Sequence, residues 1–82
     1  MDSDIDISRM RRDIYEMPED IRTALDTAGV MAAYRARPPY QQNDYVGWIT
    51  RSKLPATRAK RLAQMLEELK RGGVYMHMKW NG

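Results

Sequence analysis

The sequence predicts an all-α domain: a small bundle of about four short helices, with an extended N-terminal arm and a C-terminal tail. Two observations carry this. Prolines at 18, 39 and 55 each precede a stretch with apolar residues at helical spacing, and proline suits the first helical position, where its missing N–H costs nothing. Glycines at 29 and 72 follow two of those stretches, where a left-handed stop is expected. With 82 residues in all, the chain is sized for one domain. The expected division is an arm over 1–17, a helical domain over 18–73 and a tail over 74–82.

The arm is ambiguous. Ile5 and Ile7 alternate with acids, which fits a short strand or an extended segment, yet Ile7, Met10 and Ile14 also share a helical spacing. The first clear helix begins at Pro18. Glu19 and Asp20 stand in its first turn, where acids oppose the positive end of the helix dipole. Ile21, Ala24, Leu25 and Ala28 form its apolar stripe. A second short helix holds Val30, Met31, Ala33 and Tyr34, and must stop before Pro38 and Pro39.

Pro39 opens a third helix reaching Ser52, with Tyr45, Trp48, Ile49 and Ser52 on one face and Val46 beside them. Gly47 lies inside it at a cost of about 1 kcal/mol relative to Ala, which suggests close packing there. Lys53 and Leu54 form the linker. Pro55 opens the fourth helix, with a stripe of Ala59, Leu62, Leu66 and Leu69 flanked by Ala63 and Met65. Arg71 suits its last turn and Gly72 its stop. From Val74 onward, Val74, Met76, Met78 and Trp80 alternate with more polar neighbours, so an extended tail is expected.

The chain has no cysteine and one histidine, His77. A disulfide scaffold, a cysteine zinc site, thiol catalysis and a multi-histidine metal site are excluded. His77 reads as an exposed tail residue. Asp13 with Glu16, and Glu19 with Asp20, are carboxylate pairs, but they fall at arm or helix-start positions and suggest no acid–base chemistry. No catalytic set, cofactor or metal is expected, and the chain reads as a non-enzyme. No apolar run could span a membrane. The acidic N-terminus does not read as a signal peptide, so the expected location is cytoplasmic.

Charge is unevenly spread. Residues 1–20 carry seven acids and three arginines, net −4; residues 21–82 carry eleven bases and four acids, net +7. The densest basic stretch is 51–71. Such asymmetry points to an anionic partner, set against the blander reading of a solvated helix face. Thr57 and Arg61 share a face of the fourth helix. With Arg58 they could bind an anion at its start, or Arg61 could bond the last carbonyls of the third helix or Asp44. Tyr45 is a candidate contact residue, with Trp48 reading as core. The third and fourth helices also have the outline of a helix-turn-helix. In that alternative the basic helix 55–71 binds nucleic acid through Arg58, Lys60 and Arg61.

One resemblance stands out. Met17, Pro18, Glu19, Asp20 and Ile21, the Pro38 and Pro39 break, Tyr45-Val46-x-Trp48-Ile49, Lys53, Thr57-Arg58, Arg61-Leu62 and Gly72 together resemble the YdeI/OmpD-associated, or bacteriocin-protection, family. Ser52 and Ala56 depart from its usual Ala and acid. The resemblance implies a helical fold, often following a small β-barrel domain, and an association with stress or antimicrobial-peptide tolerance. It implies no catalytic residues. The expected function is a small interaction domain whose partner is a protein or an anionic surface.

Overall fold

The computed structural model describes residues 16–80. The reading of the arm lies outside the described residues except at Glu16 and Met17, and Met17 packs against the core. Four helices follow in order: α1 (Glu19–Thr27), α2 (Met31–Ala36), α3 (Pro39–Thr50) and α4 (Pro55–Arg71). A two-stranded hairpin, β1 (Val74–Tyr75) and β2 (Met78–Lys79), completes the described chain.

The helix boundaries follow backbone chemistry. Pro18, Pro38 and Leu54 occupy the N-cap positions of α1, α3 and α4, and Pro39 and Pro55 open the latter two. At the end of α1, Gly29 takes φ +72°. Its N–H donates to Asp26 O, and Val30 N–H donates to Leu25 O at 3.0 Å. This is a Schellman stop, with its customary apolar pair in the buried Leu25 and Val30. Arg37 is extended at φ −72° and ψ 152°, as the proline after it requires, and α2 ends there. Gly72 closes α4 at φ +86°.

The core lies among α1, α3 and α4. Ile21 and Leu25 of α1 meet Tyr45, Val46 and Ile49 of α3 and Met65 and Leu69 of α4, closed by Val30 and Tyr34. Trp48 is half-buried against this cluster.

Three expectations are corrected. First, the fold is not purely helical. The tail folds into an antiparallel hairpin pairing Val74 with Lys79 and Tyr75 with Met78, and Trp80 N–H donates to Gly73 O at 2.9 Å. The two turn residues interrupt the alternation expected of the tail, and Met78 is exposed. Second, α3 ends at Thr50 rather than Ser52. Third, the inward face of α4 is rotated. Ala59 and Ala63 are exposed, whereas Glu68 is buried beside Met65 and Leu69. A glutamate occupies that position because four donors converge on it.

Candidate functional site

Of the five residues singled out in the sequence, four lie on the first two turns of α4 and one does not join them. Tyr45 is wholly buried. Its hydroxyl donates to Glu68 Oε1 at 2.5 Å. Glu68 lies eleven residues beyond Thr57, about 16 Å along the helix axis. The sequence offered Arg58 and Arg61 as anion ligands, set against exposure for Arg58 and a structural role for Arg61; both have partners inside the domain. Arg58 Nη1 donates to Asp20 Oδ2 at 2.5 Å, and this bond holds the Asp20 carboxyl below its ordinary range. Arg61 Nη1 donates to Trp48 O at 2.6 Å, and its guanidinium lies 5.3 Å from the Trp48 ring. Arg61 thus binds one of the last carbonyls of α3, as the structural alternative expected. Thr57 is half-buried, and Lys60 is exposed.

The turn between α3 and α4 carries a feature that the sequence did not mark. Leu54 is 66% exposed. Its carbonyl accepts from Arg58 N–H at 2.9 Å and from Ser52 Oγ at 3.3 Å, so the backbone presenting this side chain is fixed. Arg51 and Lys53 flank it and are exposed. Residues 45–66 contain five cations and no acid. The described acid that reaches them is Asp20, bound to Arg58.

The opposite end of the α3–α4 pair is built around two buried charges. Glu68 is 2% and Arg37 4% exposed. Besides Tyr45, Glu68 accepts from Met76 N–H and His77 N–H, each at 2.8 Å, and from Gln64 Nε2 at 3.0 Å. Burial alone would raise the Glu68 carboxyl; the bonds from Tyr45, His77, Met76 and Gln64 outweigh it and hold the group below the usual range. Burial first, and then the Glu68 carboxylate, drive the Tyr45 phenol far above its ordinary value. Arg37 donates to Gln41 Oε1 at 3.0 Å, to Glu68 O at 3.2 Å and to Val74 O at 2.8 Å. Its guanidinium sits 4.4 Å from the Trp80 ring.

These bonds set an unusual turn. Met76 and His77 both have positive φ, +52° and +67°. Those signs belong to the type I′ hairpin turn, where Asn and Gly are preferred. Here one carboxylate holds both N–H groups. The His77 side chain is 78% exposed, with Nδ1 3.8 Å from Glu68 Oε2, beyond hydrogen-bonding distance. The ring of Tyr75 packs edge-on against Tyr45 at 5.5 Å, and its hydroxyl donates to Asp44 Oδ2 at 2.6 Å.

Among the described residues, no group of three or more His, Asp or Glu side chains could hold a metal ion. None of the described helices is long and apolar enough to cross a membrane.

The family model described as "Bacteriocin-protection, YdeI or OmpD-Associated" matches residues 15–72. The chain belongs to this family. No curated protein and no solved structure matches it. The matched segment of this YdeI/OmpD-associated chain contains all four described helices and both of the buried charges, Arg37 and Glu68. The hairpin that those charges hold lies beyond it.

Arg37, Gln41 and Glu68 were not marked by the sequence analysis. One signal was available for Glu68: it falls three residues after Met65 and next to Leu69, on the face that the apolar residues define. Nothing local marks Arg37, whose hydrogen-bond partners stand up to 37 residues away.

Proposed function

We propose that this member of the YdeI/OmpD-associated family is a non-catalytic interaction domain that works in the cytoplasm and meets an anionic partner with the α3–α4 turn. One observation carries the reading: three exposed cations, Arg51, Lys53 and Lys60, surround a stretch that contributes no acid of its own. Among the described residues, no hydrogen bond or ion pair holds the side chain of any of the three. An unbalanced, solvent-facing group of cations raises the local concentration of anions and speeds their encounter. The buried charges at the other end support the same reading from the opposite direction. Their hydrogen-bonding capacity is used within the domain, which suits a scaffold.

The alternative, nucleic-acid binding by the basic helix 55–71, is less well supported. Two of the three cations it relies on are held inside the domain, Arg58 by Asp20 and Arg61 by Trp48 O. The family description supports protection against bacteriocins as the cellular setting, consistent with stress or antimicrobial-peptide tolerance.

Retention on heparin tests the anionic-partner reading. Wild type should be retained at low salt and elute as salt screens the cations. Lys53→Glu and Lys60→Glu should each elute earlier, while Lys79→Glu, on the hairpin, should elute close to wild type. Equal shifts for all three variants would mean that net charge, and not this face, governs binding.

A further inference from the structure

We infer that the α3–α4 turn is a peripheral membrane-contact site: Leu54 enters the headgroup layer of an anionic bilayer while Arg51, Lys53 and Lys60 meet its phosphates. This rests on the anionic-partner reading and names its chemistry. A polyanion in water needs cations alone. The α3–α4 turn adds an apolar side chain at its last residue, the N-cap of α4, two-thirds exposed, directly beside Lys53 and three residues from Arg51. Cations around a protruding apolar group match the layered chemistry of a bilayer surface, with phosphates outside and hydrocarbon beneath.

The turn is also preorganised. Leu54 O is fixed by Arg58 N–H and Ser52 Oγ, and Arg61 ties the start of α4 to the end of α3 through Trp48 O. Little ordering entropy is then lost on contact. The other large apolar residues exposed among the described ones, Tyr40 and Met78, lie towards the hairpin end. Asp44 belongs to that half of α3 and Glu67 to that half of α4, and neither suits an anionic surface.

The test is co-sedimentation of the full chain with vesicles of equal parts phosphatidylglycerol and phosphatidylcholine, and with phosphatidylcholine alone. Wild type should pellet with the anionic vesicles and stay in solution with the neutral ones. Leu54→Ser should weaken anionic-vesicle binding about tenfold, the effect of withdrawing much of one leucine from an apolar contact. Lys53→Gln should weaken it about fivefold, the effect of one cation at a charged surface. Met78→Ser should bind as wild type does. Thermal melts of each variant establish that the fold is intact. Equal binding to both vesicle types, or binding indifferent to Leu54→Ser, overturns the bilayer site. Heparin binding that depends on Lys53 without vesicle binding overturns it and leaves the anionic-partner reading standing; loss of both overturns both. Duplex DNA bound more tightly than vesicles, and equally by Leu54→Ser, overturns it in favour of nucleic acid.

Discussion

The two ends of the α3–α4 pair treat charge in opposite ways. At the hairpin end Glu68 and Arg37 are taken out of water, and each is surrounded by partners: four donors on the carboxylate, three acceptors and an aromatic ring on the guanidinium. At the turn end Arg51, Lys53 and Lys60 stay in water and an apolar residue stands out among them. A buried charge is tolerated only when its hydrogen bonds are made within the protein, so the first end is committed to structure. Exposed cations contribute little to stability, so the second end is free to be selected for contact.

The largest expected effect breaks the hairpin end. Glu68→Ala strands the Tyr45 hydroxyl and two backbone N–H groups, and should cost about 3 kcal/mol or more in urea denaturation. A loss below about 1 kcal/mol would mean that water replaces the carboxylate and that this end is not committed as described. Next comes acid. The Glu68 carboxyl is held below its ordinary value in the folded state. The stability it contributes is therefore present above the unfolded-state value of about 4.3 and is lost as pH falls through the folded-state value. Asp20 contributes in the same direction. Urea midpoints measured from neutral to acid pH should fall in wild type and fall less in Glu68→Gln; identical slopes would remove Glu68 as a source of acid sensitivity.

A smaller effect sharpens the turn itself. His77→Gly relieves a left-handed backbone conformation while adding freedom to the unfolded chain. The net gain expected in thermal unfolding is about 0.5 kcal/mol. The smallest effect belongs to the turn end. Leu54→Ser should leave stability within about 0.5 kcal/mol of wild type. A variant that melts well below wild type would show Leu54 to be part of the packing, and the contrast between the ends would fail.

The same contrast marks what was legible in the sequence. Pro39 and Pro55 act on their own backbone, and so do Gly29 and Gly72, so the starts of α3 and α4 and the ends of α1 and α4 follow from neighbours in the chain. The hairpin could not be read this way. Its turn sequence, Met76 and His77, lacks the Gly or Asn that announces such a turn, because a carboxylate eight residues earlier replaces local preference. Apolar periodicity also misplaced the face of α4, since alanines fit a stripe without needing burial while Glu68 is buried by virtue of its donors. Arg61 was legible as a tie to the end of α3. Tyr45 was not legible as the partner of Glu68, because that contact joins positions 23 apart. Leu54 passed for a linker because exposure is a property of the folded surface.

The anchoring of the turn N–H groups by Glu68 makes the stretch between them a ruler. The carboxylate leaves α4 in its last turn, and the two N–H groups meet it eight and nine residues later, after the left-handed Gly72 has reversed the chain. One residue added between Gly73 and Val74 would lengthen the return path by about 3.3 Å and present the opposite face of β1 to the helices. The hairpin would then fail to seat even with every side chain in this network unchanged. The chain length across 69–75 is therefore as constrained as the identity of any residue in it, and an insertion there should be far more damaging than one of the same size beside the exposed Lys53.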